Sequence, residues 1–283
     1  MVRIMSNVII AVHGGVGKEY TGNVLDRAVD EGFSILKSNG SSLDAVIKSV
    51  TILEDDPDFN AGTGSNMRLD GSIEMDAAIA TSNGMYGAVA AIQHVKNPVI
   101  VARKVAEDTE HVMIVGTGAT IFARKEGFMD YDVSTEKARL RYKDAIKQLN
   151  ESSKHKYMKK FLDTVGAVAL DTNGMYSAAT STGGISYMLK GRVGDTPIFG
   201  AGIYTNKNGA LVATGIGELI IKKLLTKTIY DDINLGDDPD TVIKRHINEF
   251  TKDIAVGVLL IYNGNVHNLS NQPMSIRVRS NSF

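Results

Sequence analysis

The second half of the chain holds two threonines at matching positions of a predicted hairpin. Thr164 begins an apolar run that ends at Leu170, and Thr182 ends the run that follows the turn at residues 171–174. In a hairpin with this turn, residue 164 pairs near residue 181 or 182, so both hydroxyls are expected at one end of a sheet. A lone threonine in a strand more often reflects β-propensity than chemistry, so the pair gains meaning only with other groups nearby.

A charged pair follows this hairpin in the loop GRVGDTP at residues 191–197. A guanidinium binds a carboxylate through two hydrogen bonds, and a carboxylate binds an ammonium group. Arg192 and Asp195 therefore match the two charged ends of a zwitterion. The alternative interpretation is a surface salt bridge, which contributes little to stability.

A third candidate feature is the segment ATGIGE at residues 213–218, where a predicted strand leads into a helix. The first N–H groups of a helix have no partner within the helix and can hold an oxyanion. Glycines at a strand end also form ordinary turns, and that interpretation stays open.

The glycine-rich loop HGGVG at residues 13–17 follows a strand, so a phosphate-binding loop has to be considered. Its glycines fit neither the GxxxxGK[ST] nor the GxGxxG spacing. A tight turn beneath a sheet is the favoured interpretation.

Composition excludes several kinds of site. The chain has no cysteine, which rules out a thiol nucleophile, disulfides and cysteine-held metals. The six histidines form no HExxH pattern, and no GxSxG elbow is present. The formal net charge of -1 argues against a general nucleic-acid binder, because such proteins carry a basic excess.

Hydropathy predicts a cytoplasmic protein with no membrane partner. The longest apolar runs, such as residues 255–262, fall far short of the roughly 20 residues that cross a bilayer. The first ten residues lack the apolar core and cleavage site of a secretory signal.

The elements that must position these groups alternate between strands and helices. Turn signals predict four hairpins, which argue for layered sheets covered by helices. Strands are predicted at residues 7–12, 73–80, 85–92, 111–115, 164–170, 175–182, 197–204, 210–214, 254–262 and 266–269. Helices are predicted at residues 23–38, 43–54, 97–107, 118–126, 218–230 and 239–250.

Residues 134–161 differ from the rest of the chain, because nine basic side chains stand against three acidic ones and apolar residues are sparse. A helix with no apolar stripe gains little from packing. With the residues that follow it, this segment is predicted to form a mobile connector over about residues 134–163, exposed and either helical or disordered, with nucleic-acid contact as the less favoured alternative.

Taken together, eight segments in this order resemble the plant-type L-asparaginase and isoaspartyl aminopeptidase family of N-terminal-nucleophile hydrolases. The resemblance covers roughly residues 7–130 and 163–262. Its carriers are IAVHGGVG at 10–17, LEDDPDFNAGTG at 53–64, EMDAA at 74–78, GAVAAIQHVKNP at 87–98, TVGAVALD at 164–171, ATSTGG at 179–184, GRVGDTP at 191–197 and ATGIGE at 213–218.

This resemblance implies an enzyme that cuts itself between Asp163 and Thr164, leaving an α subunit of residues 1–163 and a β subunit of residues 164–283. The freed Thr164 hydroxyl is then the nucleophile. Its own α-amine, with a reference pKa near 7.7–8.0, serves as the general base. The histidine at position 13 and the two glycines after it would be linked to this processing.

The resemblance also implies roles for the other site residues. Thr182 would support the nucleophile and Asn60 would order it. Arg192 and Asp195 would bind the substrate's α-carboxylate and α-amine, with the Gly217 carbonyl near that amine. The oxyanion hole would consist of the Thr214 hydroxyl and the Gly215 N–H.

A structural sodium ion is a further implication, and no cofactor is expected for catalysis. The ion would be held by backbone carbonyls of one loop. These belong to Leu53, Glu54, Asp56, Phe59, Ala61 and Thr63.

The family's fold is an α+β, four-layer αββα sandwich, expected here as one domain over residues 1–283 that forms a homodimer of processed protomers. The expected reaction is hydrolysis of L-asparagine and of β-aspartyl dipeptides. Two alternatives stay open: another specificity of the superfamily, such as glycosylasparaginase or threonine endopeptidase, and an unprocessed protein that only binds an anion.

Overall fold

The computed structural model describes residues 7–151 and 164–281. The strands are β1 (Ile9–Val16), β2 (Met75–Thr81), β3 (Tyr86–Ile92), β4 (Met113–Val115), β5 (Val165–Leu170), β6 (Tyr176–Thr182), β7 (Ile203–Asn206), β8 (Gly209–Gly215), β9 (Val256–Tyr262), β10 (Asn265–Ser270) and β11 (Met274–Ser280). The helices are α1 (Val24–Lys37), α2 (Ser42–Glu54), α3 (Pro98–Asp108), α4 (Gly116–Lys125), α5 (Glu136–Glu151), α6 (Gly217–Lys223), α7 (Leu225–Asn234) and α8 (Pro239–Ile247).

Two sheets form the centre of the molecule. The larger has the order β11-β1-β5-β6-β2-β3-β4 and the smaller the order β10-β9-β8-β7. Neighbouring strands are antiparallel except β3 and β4, which run parallel. The hairpin β5–β6 lies inside the larger sheet, so its strands are hydrogen-bonded on both sides.

The two sheets pack face to face through an apolar layer that both supply. The larger sheet contributes small side chains such as Ala78, Ala88 and Ala178, and the smaller contributes Val212 and Leu259. Small residues allow two sheets to approach closely, while the larger aliphatic side chains opposite fill the space between them.

Helices cover the outer face of each sheet. Helices α1, α2 and α3 bury their apolar sides on the larger sheet, and α7 and α8 bury theirs on the smaller one. Helix α2 begins where the sequence predicted, since the Ser41 hydroxyl accepts the Asp44 N–H at 3.0 Å and caps it. The described residues thus form helix, sheet, sheet and helix layers, which confirms the predicted α+β sandwich.

The four predicted hairpins are all present, but strand β7 is shorter than expected. It begins at Ile203 and not at residue 197. The residues before it form turns, because the N–H groups of Ile198 and Gly202 both donate to the Asp195 carbonyl. The physical cause is a close approach at Gly202, where a Cβ would lie 2.4 Å from that carbonyl oxygen.

The single helix predicted over residues 218–230 is wrong, because the structure has two helices there. They meet at Leu224, whose backbone is left-handed with φ 46°. This break leaves Leu224 half exposed and buries Leu225 completely in the core beneath α7. Neither glycine nor proline marks the position, so the break had no local sequence signal.

Helix α5 packs more closely than its polar sequence predicted. Ala138 is buried, and the Tyr142 hydroxyl donates to the Leu69 carbonyl at 3.0 Å. The Tyr187 hydroxyl donates to the Arg141 carbonyl at 2.9 Å. The beginning of the basic connector is therefore docked on the loop that precedes β2. The rest of the connector, residues 152–163, lies outside the described residues.

The sequence patterns predict strands only as far as residue 269, yet β11 pairs with β1 at the edge of the larger sheet. Met274, Ile276 and Val278 alternate with polar residues there. That period of two is a strand signal and would have been sufficient to find β11.

No helix within the described ranges is long and apolar enough to cross a membrane.

Candidate active site

The two threonines of the hairpin β5–β6 lie side by side. Val165 pairs with Ser181, which brings the next residues, Thr164 and Thr182, together at the end of the strands. The Thr164 hydroxyl donates to the Thr182 hydroxyl oxygen at 3.3 Å, and the Gly184 N–H donates to the same oxygen at 3.0 Å. The register predicted from the turn is therefore the observed one.

Five of the residues singled out from the sequence line one small pocket. They are Thr164, Thr182, Arg192, Asp195 and Gly215, and the remaining wall is Gly184, Ile185, Gly194 and Thr196. The pocket lies where the larger sheet ends at β5 and β6 and the smaller sheet ends at β8. Tertiary packing thus joins segments that are distant in sequence.

Arg192 is held by a partner that the sequence analysis did not assign. Its guanidinium makes two hydrogen bonds, at 2.8 and 2.9 Å, to the carboxylate of Glu218 in the first turn of α6. This pairing fixes the position of the Arg192 side chain, which lines the pocket together with Asp195. Glu218 belongs to the segment ATGIGE, but nothing in one sequence indicates which cation it meets.

Asp195 is a buried carboxyl group with unused hydrogen-bonding capacity. It is 3% exposed, and its Oδ2 has no hydrogen-bond partner within residues 7–151 and 164–281. Burial raises the pKa of Asp195 to about 7, although the positive charge of Arg192 acts in the opposite direction. Such a carboxyl group is well placed to bind an ammonium group that enters the pocket.

The segment after β8 brings a hydroxyl and backbone groups beside these side chains. Thr214 is buried, and its hydroxyl has no partner in the described part of the chain. Gly215 has φ 150°, and a Cβ there would lie 2.5 Å from the Ala255 carbonyl oxygen. A Cβ on Gly217 would lie 2.8 Å from the Arg192 guanidinium and 3.0 Å from the Asp195 carboxylate. Only glycine therefore fits at position 215, and a side chain at position 217 would displace the groups of Arg192 and Asp195 that face the pocket.

Asn60 does not line the pocket but supports its wall. The side-chain NH₂ group of Asn60 donates to the Gly184 carbonyl, and its side-chain oxygen accepts the Asn66 N–H at 2.8 Å. The backbone carbonyl of Asn60 accepts the Gly183 N–H at 2.8 Å. Gly184 in turn donates to Thr182. Asn60 thus orders the threonine pair through the backbone of residues 183–184.

His13 lies next to Gly166 near the start of β5 and outside the pocket lining. It is fully buried, burial lowers its pKa to about 3, and its Nδ1 accepts the Gly15 N–H at 3.2 Å. Its ring packs against Gly166, where a Cβ would lie 2.4 Å from Nε2. A neutral imidazole therefore packs two residues from Thr164.

In the loop at residues 53–64, backbone carbonyl oxygens lie close to the glycines of the same loop. The Thr63 N–H donates to the Glu54 carbonyl at 2.7 Å, and a Cβ on Gly62 would lie 2.4 Å from that oxygen. A Cβ on Gly64 would likewise lie 2.8 Å from the Phe59 carbonyl. Hard cations prefer oxygen ligands, and backbone carbonyl oxygens such as these are ligands of that kind. The described residues contain no cluster of three or more His, Cys, Asp or Glu that could hold a metal.

Comparison with known proteins decides the family. The family model described as Asparaginase matches residues 6–279. The chain belongs to this family. The plant-type L-asparaginase of Pyrococcus furiosus is 44% identical over 282 residues, covering 92% of this chain and 92% of the relative.

Two further relatives of this asparaginase-family chain carry other names. The isoaspartyl peptidase/L-asparaginase of Xenopus laevis is 39% identical over 268 residues, which cover 90% of this chain and 85% of that protein. The N(4)-(β-N-acetylglucosaminyl)-L-asparaginase of Elizabethkingia miricola is 38% identical over 226 residues, or 78% and 65% of the two chains. The resemblance seen in the sequence, its fold and its amide-hydrolase class are confirmed.

The structure brings together Thr164, Thr182, Arg192, Asp195 and Gly215 and sets Thr214, Gly217 and Asn60 directly behind them. The carbonyl loop and His13 lie outside the pocket lining. Asp163, the other side of the predicted cut, lies outside the described residues. Three buried charged residues near the pocket received no role from the sequence: Arg68, Glu74 and Asp76. Glu74 and Asp76 fall within the apolar strand predicted at residues 73–80, where charged residues are rare, and that rarity was the available signal for these two. Arg68 had no such signal.

Proposed function

We propose that this chain hydrolyses the side-chain amide of L-asparagine and the β-aspartyl bond of isoaspartyl dipeptides, with Thr164 as nucleophile. The observation that carries the proposal is the shared pocket, in which a threonine pair faces a guanidinium and a buried carboxyl group. The names of relatives that match over most of the chain support both substrates.

The nucleophile forms in a first, intramolecular step. The Thr164 hydroxyl attacks the carbonyl of Asp163, the peptide C–N bond breaks, and an ester to the threonine oxygen forms. Breaking the C–N bond frees the α-amine of Thr164, which takes up the hydroxyl proton. Water then hydrolyses the ester, which frees the Thr164 hydroxyl and the carboxylate of Asp163. An α-amine has a reference pKa near 7.7–8.0, so a useful fraction is neutral at physiological pH.

The same groups then act on the substrate amide. The α-amine takes the hydroxyl proton as the oxygen of Thr164 attacks the carbonyl carbon. The Thr214 hydroxyl and the Gly215 N–H stabilise the resulting oxyanion, and the proton passes to the leaving ammonia or amine. Water cleaves the aspartyl ester to release aspartate. Thr182 donates its hydroxyl proton to the nucleophile's oxygen or accepts from it, depending on the step.

Charge complementarity orients the substrate. Arg192 binds its α-carboxylate, while Asp195 and the Gly217 carbonyl bind its α-ammonium group. One oxygen of Asp195 has no hydrogen-bond partner within the described residues. The ammonium group of the substrate supplies that partner. Both groups are common to asparagine and to the aspartyl part of an isoaspartyl dipeptide, so one pocket serves both substrates.

The test is a comparison of Thr164→Ala with Thr164→Ser. The alanine variant should stay a single full-length chain on a denaturing gel and release no ammonia from asparagine. The serine variant keeps a hydroxyl and should still give two bands. An alanine variant that cuts itself or hydrolyses asparagine would overturn the assignment. Assays with asparagine, a β-aspartyl dipeptide and a glycosylated asparagine in parallel then rank the specificities.

A sodium ion in the loop at residues 53–64 is part of this proposal, because backbone carbonyl oxygens are ligands that hard cations prefer. Leu53, Glu54, Asp56, Phe59, Ala61 and Thr63 would hold it. The expected result is a higher melting temperature in sodium chloride than in choline chloride at equal ionic strength. Equal melting temperatures in the two salts would remove the ion from the proposal.

We further propose a homodimer of processed protomers in the cytoplasm. Light scattering of the processed protein should give twice the mass of one chain, and cell fractionation should place it in the cytoplasmic fraction. A mass equal to one chain would contradict the dimer.

A further inference from the structure

Three charged side chains are buried behind the pocket, and the proposed mechanism uses none of them. Arg68 and Asp76 have no exposed surface, and Glu74 is 4% exposed. Burying charged groups is unfavourable unless they pair and form hydrogen bonds. Asp76 and Glu74 bind directly to the loop at residues 191–195, which carries Arg192 and Asp195, and Arg68 binds to Glu74.

Asp76 connects this loop to the strand beside the threonine pair. It lies on β2 directly opposite Thr182 of β6. Its Oδ1 accepts the Ala91 N–H at 2.8 Å, and its Oδ2 accepts the Gly194 N–H at 3.2 Å. Gly194 precedes Asp195 and lines the pocket. One carboxylate thus ties the loop to the sheet.

Glu74 makes the second attachment, on the other side of Arg192. Its Oε2 accepts the Gly191 N–H at 2.7 Å. Arg68 holds Glu74 in turn, since its Nη2 donates to the Glu74 carbonyl at 3.1 Å and its Nε lies 3.4 Å from Oε2. The loop is therefore fastened at residues 191 and 194, and Arg192 lies between the two attachments.

We propose that Asp76 and Glu74 are positioning residues that fix this loop so that Arg192 and Asp195 bind the two charged ends of the substrate. The proposal rests on the substrate class given above. Neither carboxylate touches the substrate. Each acts through a backbone N–H of the loop, and Arg68 keeps Glu74 in place.

A carboxylate is required at position 76 because both of its oxygens accept an N–H. Asparagine offers one acceptor oxygen and one NH₂ donor group. In Asp76→Asn, the NH₂ group would face either the Gly194 N–H or the Ala91 N–H. A buried donor then loses its acceptor, and the loop is expected to move away from the sheet.

The experiment compares Asp76→Asn and Glu74→Gln with a matched control, Asp171→Asn. Asp171 is also a buried carboxylate whose oxygens accept N–H groups, from Ser42, Asn173 and Met175, but it lies at the turn of the hairpin far from the pocket. Autoprocessing, melting temperature, kcat and KM for asparagine, and binding of L-aspartate by calorimetry are measured for each variant.

The expected result is specific to substrate binding. Asp76→Asn and Glu74→Gln should each raise KM and weaken aspartate binding by about tenfold or more, with a much smaller change in kcat, while both still process into two bands. Asp171→Asn should lower the melting temperature with KM unchanged.

The proposal is overturned if the variants at positions 74 and 76 lose stability with KM and aspartate binding unchanged. If Asp76→Asn does not fold, Glu74→Gln alone decides by the same readouts. Failure of the proposed function is a separate outcome, because the wild-type protein would then neither process itself nor hydrolyse asparagine.

Discussion

A buried carboxyl group lies near each end of the hairpin β5–β6, and the two differ in how completely they are hydrogen-bonded. At the turn, Asp171 is 2% exposed and its two oxygens accept three backbone N–H groups. At the pocket, Asp195 is 3% exposed, and one of its oxygens has no partner within the described residues. The polar groups at the turn complete the fold, whereas those at the pocket are left for a substrate.

This difference teaches where to look for a site. Buried polar groups in proteins nearly always have partners, so an exception calls for a reason. Exceptions also occur elsewhere in the described chain, but the hydroxyls of Thr196 and Thr214 lie next to Asp195 and Gly215 at the pocket. Three unsatisfied groups beside a guanidinium and a threonine pair indicate a preformed place for a charged ligand.

The largest expected effect comes from removing the unsatisfied hydroxyl of Thr214. Thr214→Val keeps the shape of the side chain but removes one proposed oxyanion donor, so kcat for asparagine should fall by about 10²–10³-fold. The control is Thr205→Val in β7, which loses a buried hydrogen bond to the Thr81 carbonyl. That change should reduce stability by about 1 kcal/mol and leave kcat unchanged. Equal losses of kcat in both variants would contradict the comparison.

The second prediction concerns pH and uses succinamate, which is asparagine without its amino group. Below its pKa of about 7 Asp195 is protonated and loses the charge that binds an ammonium group. The Thr164 α-amine is also protonated at low pH, which removes the base. In acid, kcat/KM for asparagine should therefore fall by about two powers of ten per pH unit, and for succinamate by about one.

Protonation of Asp195 does not unfold the protein, so unfolding at this residue does not explain the loss of kcat/KM in acid. Its pKa in the folded protein lies above the usual value of 3.8, so its contribution to stability is fully present below about pH 4 and is lost as the pH rises through 7. Acid therefore favours the fold at this residue while it weakens substrate binding. If kcat/KM fell equally steeply in acid for the two substrates, Asp195 would not be the group that binds the ammonium.

The smallest effects should come from one methyl group at each end of the hairpin. In Gly183→Ala the new Cβ would lie 2.5 Å from the Asn60 side chain, which supports the threonine pair. The variant should lose about 1–3 kcal/mol of stability and several-fold in kcat. In Gly174→Ala the Cβ meets nothing within 4 Å, although φ is 77°. It should lose about 1–2 kcal/mol from backbone strain with full activity. Reduced kcat in the second variant would show that the two ends are coupled.

The sequence alone determined most of the secondary structure and the local geometry of the threonine pair. Hairpin turns have local signals, and a two-residue period then fixes which residues face each other, so the turn at residues 171–174 was sufficient to pair Thr164 with Thr182. Glycine-rich loops likewise marked residues 191–197 and 213–218 as special. The break at Leu224 had no such signal, since it depends on where α6 and α7 pack.

Only the tertiary structure decided how these segments combine into a pocket. The pairing of Arg192 with Glu218 and the ties from Asp76 and Glu74 to the loop join residues between 26 and 118 positions apart. Sequence patterns carry local propensity, whereas contacts of this kind depend on how two sheets stack and which strand ends coincide. Burial, which sets the pKa of Asp195 and leaves its oxygen without a partner in the described chain, exists only once the layers have packed.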